Sequence, residues 1–313
     1  MLTLADIVRA QHRLAAYLQA TAVESAPDLG AGVLLKLENT NHTHSFKIRG
    51  ALNAVLALDD AARGRGVITA SSGNHAQGVA YATQATQTRA TILMPKHTPQ
   101  KKVQGVRRYG GTAVLFGDNF DQTEAEALRR ARDEGMTFVS PYNDRQVMAG
   151  AGTIGLEILQ QVPDVGRVLV CVSGGGLISG IATAIKTLKP DVEVIGVGAE
   201  SAPAMYNVFH GTDKPEQWDT LAEALSGGIE ADSLTLPVVR RYVDDIVLVS
   251  EAQIAATMRW MLGVQGWLVE GGGSVSVAAL LHAVVAPTPR PTVALVSGGN
   301  VDLSTLAQVI QQS

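Results

Sequence analysis

Residues 167–188 read RVLVCVSGGGLISGIATAIKTL. An apolar, β-branched run is followed by three successive glycines and then by apolar residues at helical spacing. A strand buried on both faces reads as such a continuous apolar run, so the stretch predicts a strand that turns directly into a helix. A plain strand-to-helix turn needs one glycine. Three let the backbone wrap an anion closely, and the dipole of the following helix adds attraction, so SGGGLISG (173–180) reads as a phosphate cradle. The stretch lacks the G-x-G-x-x-G spacing with its following acidic residue, and it has no Gly-Lys-Ser/Thr. Neither a dinucleotide fold nor a nucleotide triphosphatase is supported.

Outward from this junction the same alternation recurs over nearly the whole chain. Strands are predicted at 33–38 (VLLKLE), 66–71, 90–95, 113–117, 137–141, 167–172, 193–200, 245–250 and 292–298 (TVALVSG), with helical patterns between most of them. That is the signature of mostly parallel sheets with covering helices. Leu4, Ile7, Val8, Leu14, Ala15 and Leu18 recur at helical spacing behind a Thr3 cap. Residues 201–244 break the rhythm with Pro203, Pro215 and Pro237, and GTDKPEQWD (211–219) reads as loop.

Composition excludes several function classes. The 313 residues are 46% hydrophobic and 17% charged with a formal net charge of −4, as expected of a globular protein with two domains or one large domain carrying an insertion. Lys and Arg number 25 against 29 Asp and Glu, which leaves no basic stripe for nucleic acid. A single cysteine cannot make an internal disulfide. Asp6, Arg9 and Arg13 interrupt what a signal peptide would need, and no run of about 18 apolar residues suggests a membrane span. The expectation is a cytoplasmic protein. The chain has 32 glycines, so close backbone approaches matter more than aromatic platforms.

Three further clusters carry chemistry. In SFKIRG (45–50), Lys47 opens a predicted helix, where the positive end of the dipole disfavours the ammonium and eases formation of a nucleophilic amine. That suits a Schiff-base lysine, against the alternative of a solvated lysine on a helix flank. SSGNHAQG (71–78) ends a strand and starts a helix, leaving free N–H groups for a carboxylate or phosphate; the alternative is a capped helix start with His75 half-buried. VEGGGSV (269–275) and LVSGGNVDL (295–303) place Ser297 at a strand end, where open α/β sheets contact their ligands, or where a serine simply caps.

Taken in order, KLEN (36–39), SFKIRGALN (45–53), SSGNHAQG (71–78), AGAGTIGLE (149–157), SGGGLISG (173–180) and SGGNVDL (297–303) resemble the threonine/serine dehydratase family of pyridoxal-phosphate enzymes, which includes serine racemase. The resemblance covers nearly the whole chain. It implies a fold type II, tryptophan synthase β-like α/β architecture of two open, twisted, mostly parallel sheet domains with covering helices. The small domain would be 66–144, and the large one 1–65 plus 145–313. It implies that Lys47 is the Schiff-base lysine and α-proton shuttle with Phe46 beside the ring. Asn74 would bond the ring hydroxyl, Gly174, Gly175, Gly176 and Leu177 would hold the phosphate, and Ser297 would face the pyridine nitrogen. Ser71, Ser72, Gly73 and His75 would surround the substrate carboxylate, with Ser72 also matching a second acid/base of serine racemase. A homo-oligomer, a dimer in many members, is likewise implied.

A neutral hydroxyl at Ser297 cannot hold a pyridinium proton well, so loss of a β-leaving group competes with the reprotonation that transamination needs. The expected reaction is ammonia-forming dehydration of L-threonine or L-serine. Racemisation of serine or a related amino acid, elimination from a substrate such as 3-hydroxyaspartate, and non-catalytic binding of an amino acid or pyridoxal phosphate on the same scaffold remain open alternatives. Intact Lys47 and Ser72 favour an enzyme.

The chain departs from the family pattern at three places. His44 stands where glycine is usual, two residues after His42. At the divalent-cation position the chain offers Glu200, the carbonyl of Ala204 and, where an acidic residue is expected, Tyr206, so no metal is assigned and Glu200 with Ala204 is a weak candidate. Glu270-Gly271-Gly272-Gly273-Ser274 replaces a Glu-Pro-Ser-Gly-Ala segment and is expected to loosen a turn. Little sequence follows SGGNVDL, as in family members without a product-sensing regulatory domain. Ten glycines, at 73, 174–176, 180, 271–273 and 298–299, are expected where backbone meets cofactor or substrate.

Overall fold

The structure, a computed structural model, describes residues 1–311. Its ten strands are β1 (Val23–Ser25), β2 (Val33–Leu37), β3 (Val67–Ala70), β4 (Ala90–Met94), β5 (Thr112–Leu115), β6 (Thr137–Phe138), β7 (Arg167–Cys171), β8 (Glu193–Ala199), β9 (Asp245–Val249) and β10 (Thr292–Val296). They form a six-stranded sheet in the order β1-β2-β10-β7-β8-β9 and a four-stranded sheet in the order β5-β4-β3-β6. Every pairing is parallel except β1 with β2. All nine expected strands are present, most a residue or two shorter than read. The expectation missed β1, whose VES sequence carries no apolar alternation. It is an edge strand held by its register on β2, with Glu24 opposite Leu35.

Helices cover the sheets. The first, Leu4–Leu14, starts at Thr3 in a capping box with Asp6, as the spacing predicts. The irregular stretch contains two short helices, Ala204–His210 and Thr235–Tyr242, that its prolines concealed; Pro203 serves as an N-cap residue and Pro237 sits in a first turn, where proline is tolerated. The helices Lys47–Leu56, Arg145–Gln161 and Gly176–Leu188 meet backbone to backbone. A Cβ at Gly150 would overlap the carbonyl of Arg49, and one at Gly180 would overlap the carbonyl of Met148. Gly180 therefore serves helix packing, which corrects its expected place beside a ligand.

Buried among these elements lie four charges of balanced sign. Arg49 is 2% exposed, and its guanidinium bonds both oxygens of Glu38 (2.7 and 2.8 Å) and both oxygens of Glu157 (2.5 and 2.9 Å). Lys36, fully buried in β2, donates to Glu157 at 2.6 Å, to Gln161 at 2.8 Å and to the carbonyl of Thr21 at 2.8 Å. Burial raises the Glu38 carboxyl, but the charge and hydrogen bonds of Arg49 and the charge of Lys36 outweigh it and hold the group below its ordinary range. The cluster ties β2, the 3₁₀ turn Glu38–Thr40 and the two helices Lys47–Leu56 and Arg145–Gln161 to one another.

A buried network of this kind tolerates the loss of a balanced pair better than the loss of one member. Glu157→Gln is expected to lower stability in urea unfolding by ~3–5 kcal/mol, because Lys36 and Arg49 would share the single charge of Glu38. Lys36→Met combined with Glu157→Leu removes one charge of each sign and is expected to be less costly. A double variant less stable than Glu157→Gln would show that charge balance does not set the cost.

Candidate active site

The chemistry-bearing motifs sit at the carboxyl ends of strands: Glu38 after β2, Ser297 after β10 and Ser173 after β7, which are neighbours in the six-stranded sheet, and Ser71 after β3 in the four-stranded sheet. Parallel strands expose unpaired backbone groups and helix N-termini there, which is where open α/β sheets contact ligands. The loop ahead of Lys47 is laced to the end of β10. Phe46 N–H donates to the carbonyl of Ser297 (3.0 Å), Gly299 N–H to that of His44 (2.9 Å), and Ser45 bridges Gly298. His44 takes this loop through φ +54, the left-handed conformation that favours glycine.

Lys47 then opens its helix with a half-buried side chain whose Nζ donates to the carbonyl of Pro141 at 2.8 Å and lies 5.2 Å from the centroid of the Phe46 ring. Burial lowers its pKa to about 8 despite the opposing influence of Cys171 and Glu270. The 97%-buried His75 places Nε2 at 3.0 Å from the carbonyl of Val139. A carbonyl only accepts, so Nε2 carries the proton and Nδ1, which has no partner, is a bare acceptor. Burial and the charge of Lys47 hold His75 near a pKa of about 3, so the ring is neutral.

The glycine cradle begins the helix Gly176–Leu188, with Gly175 at φ +85. Side chains are excluded on one side: a Cβ at Gly174 would lie 2.6 Å from the Tyr142 ring, and one at Gly176 would lie 2.8 Å from the Tyr142 carbonyl. Among the described residues no acceptor meets the N–H groups of Gly176, Leu177 or Ile178, or those of Asn74, His75 and Ala76 at the start of the helix Asn74–Thr86. Two helix starts thus present free donors, the condition for holding anions.

Ser297 is 4% exposed, and its hydroxyl makes a long 3.5 Å contact to the carbonyl of Gly272. Its neighbour Cys171 has its thiol pushed up to about 11 by burial, partly offset by a hydrogen bond with Ser297, and is a neutral core thiol rather than a nucleophile. Glu270, half-buried, accepts from Asn74 Nδ2 at 2.6 Å, and burial raises its carboxyl to about 7.

A family model described as pyridoxal-phosphate dependent enzyme matches residues 16–298 of this chain. The chain belongs to that family. It is 41% identical over 318 residues to the L-threonine ammonia-lyase of Thermotoga maritima, covering all of this chain and 79% of the relative. It is 40% identical over 313 residues to the catabolic L-threonine dehydratase of Escherichia coli K12, covering 97% of this chain and 94% of the relative. Among solved structures, maize serine racemase superposes with a TM-score of 0.91 at 33% identity over 99% of this chain and 97% of that one. The two open sheets with covering helices are the fold type II architecture.

The residues present fit the cofactor of the family. An enclosed lysine amine, an unpartnered set of N–H donors at a three-glycine helix start, and a buried neutral hydroxyl are what its aldehyde, phosphate and ring nitrogen require. The structure brings Lys47, Asn74, His75 and Ser297 around one another. Glu200 is exposed on the turn after β8 and Ala204 starts a helix, while the Tyr206 ring lies against His210 at 4.4 Å. Among the described residues no three His, Cys, Asp or Glu side chains gather to hold a metal. The Glu270 turn is not loose, because Gly271 packs so closely on the Leu221 carbonyl that a Cβ there would overlap it. The partner that sequence reading missed is Pro141, whose backbone carbonyl takes the Lys47 hydrogen bond and whose side chain signals nothing.

Because the Lys47 pKa lies at about 8, the neutral amine predominates above that pH rather than above the ordinary lysine value of 10.5. Uptake of pyridoxal phosphate by the apoprotein is expected to accelerate as pH rises through about 8, followed by stopped-flow absorbance. A profile still rising through 10 would contradict this reading of Lys47.

Proposed function

We propose that this protein is a pyridoxal-phosphate dependent ammonia-lyase that dehydrates L-threonine and L-serine to a 2-oxo acid and ammonia. The reading rests on one observation above others: a desolvated lysine amine and a buried neutral hydroxyl at Ser297, both near Cys171, in a chain about 40% identical to L-threonine ammonia-lyase and dehydratase over nearly its full length. The proposed cleft lies between the two sheets, with 66–144 as the smaller domain and 1–65 plus 145–313 as the larger. All four strands of the smaller sheet fall within 66–144. The proposal includes a cytoplasmic enzyme that assembles as a homo-oligomer, as family resemblance implies; no helix is long and apolar enough to cross a membrane among the described residues.

When bound, pyridoxal phosphate supplies the electron sink that acidifies the substrate α C–H bond. Gly174, Gly175, Gly176 and Leu177 hold its phosphate through backbone N–H groups, and Asn74 donates to its ring oxygen. Phe46 would lie beside its ring, and Ser297 would face its nitrogen. The N–H groups that open the helix at Asn74, with Ser71, Ser72 and Gly73, take the substrate carboxylate. Neutral His75 shapes that pocket and offers an acceptor at Nδ1, so it adds no positive charge. Lys47 Nζ removes the α-proton and a proton is returned to the departing β-hydroxyl, which leaves as water; the released enamine takes up one water and hydrolyses to the 2-oxo acid and ammonia. Ser72 is read as the acid/base of the opposite face because it matches that position of serine racemase. Its presence, with the close superposition on maize serine racemase, favours racemisation of serine as the second reading.

One assay separates the two. Holoenzyme incubated with L-threonine or L-serine is expected to accumulate 2-oxo acid and ammonia in excess of the D-enantiomer, and Lys47→Ala to lower turnover by roughly 10²–10⁴-fold. Abundant D-serine without oxo acid would replace the dehydratase by the racemase. Unchanged turnover in Lys47→Ala would sink both.

A further inference from the structure

With Lys47, Asn74 and Ser297 assigned to the cofactor, Glu270 and Asn300 are left without a part. Glu270 occupies the N-cap of the helix Gly271–Leu281, yet its carboxylate makes no capping hydrogen bond. It turns instead to Asn74, 196 residues earlier in the chain, and accepts from Nδ2 at 2.6 Å. The other end of the same amide is also held. Asn300 Nδ2 donates to Asn74 Oδ1 at 2.8 Å and to the carbonyl of Thr43 at 2.8 Å.

These two partners leave the Asn74 amide one orientation. A carboxylate oxygen accepts and the Asn300 amide nitrogen donates, so the flipped amide would set oxygen against oxygen and nitrogen against nitrogen. The Asn74 nitrogen carries two hydrogens. Glu270 takes one, and the second remains free for a ligand. Room for the carboxylate comes from Gly298, since a Cβ there would overlap Glu270 Oε1 and would lie 3.3 Å from Asn74 Nδ2. The motifs GGNVDL and VEGGG thus converge on a single amide that belongs to a third.

We propose that Glu270 is a positioning residue: with Asn300 it locks the Asn74 amide so that the second N–H faces the ring oxygen of the bound cofactor, acting as a hydrogen-bond acceptor rather than as a charge. This rests on the assignment of Asn74 made under Proposed function. Without Glu270 the amide can turn its own oxygen toward an oxygen that needs a donor. Cofactor affinity and the electronic state of the ring then change together, whereas a merely structural role for Glu270 would lower stability and leave the spectrum of bound cofactor unaltered.

The test titrates pyridoxal phosphate into folded apoprotein, reading the visible absorption band and the binding constant, with circular dichroism to confirm folding. Glu270→Ala is expected to shift the band and to weaken binding roughly three- to tenfold, the range for one lost hydrogen bond. Glu270→Gln retains an acceptor oxygen and is expected to restore the band and bring affinity within about twofold of the native protein. Asn300→Ala is expected to move the band in the same direction as Glu270→Ala, and it decides the matter alone if Glu270→Ala does not fold. The proposal is overturned if folded Glu270→Ala keeps the native band and affinity, if Gln is no better than Ala, or if Asn300→Ala leaves the band in place. Asn74→Ala distinguishes the two layers. A native band in that variant removes the Asn74 assignment and this proposal with it; a shifted band there, beside a native one in Glu270→Ala, removes the positioning role alone.

Discussion

The grip of Arg49 on Glu38 and Glu157 is the constraint on which the site depends. Arg49 lies two residues beyond Lys47 on the same helix, so fixing its guanidinium from two sides fixes the azimuth and depth of the first helical turn. Planar, bidentate geometry makes this possible for arginine and not for lysine. Such clusters are poor sources of net stability, because desolvation offsets most of the attraction. Their value here is geometric. Glu38 follows β2, and Glu157 lies on the helix packed against the one that opens with the glycine cradle. The Lys47 amine and the free N–H donors of the glycine turn are therefore referred to one rigid frame.

Around that frame the chain builds the pocket from groups that are neutral or close to it. His75 is held uncharged by burial, Ser297 is a hydroxyl, and the Cys171 thiol stays protonated. Lys47 and Glu270 have their pKa values displaced toward neutrality from opposite sides by the same cause, loss of solvent. A site of this kind leaves the charge to the ligand and meets it with backbone donors. Surface pairs between the two sheets' elements add little by comparison: Lys102 with Glu223 at 3.0 Å and Lys101 with Asp302 at 3.2 Å each have one partner exposed to solvent.

Much of this was legible in the sequence, for identifiable reasons. The central strands are buried on both faces and read as unbroken apolar runs, so RVLVCV and TVALV announce themselves. The edge strand β1 does not, because its conformation comes from pairing with β2 and not from its own residues. Glycine-rich junctions marked the helix starts that leave N–H donors free, but glycine alone does not say what approaches it. Gly180 admits a helix, Gly298 a carboxylate, and neither differs in sequence from Gly175, whose positive φ shapes the cradle. The ion cluster was hidden for another reason. Glu38, Arg49 and Glu157 are separated by 11 and 108 residues, and each alone reads as an ordinary surface charge. His44 reverses the pattern. Glycine is usual at that position in the family, and the histidine adopts the left-handed conformation that glycine would.

The central claim is that one lysine, placed by the Arg49 frame, is the residue that binds the cofactor aldehyde. Borohydride reduction of the protein loaded with pyridoxal phosphate, followed by peptide mass mapping, tests it most directly. The account predicts a single stoichiometric pyridoxyl adduct on the peptide bearing Lys47. An adduct on another lysine, or adducts scattered over exposed lysines with none at Lys47, would contradict it.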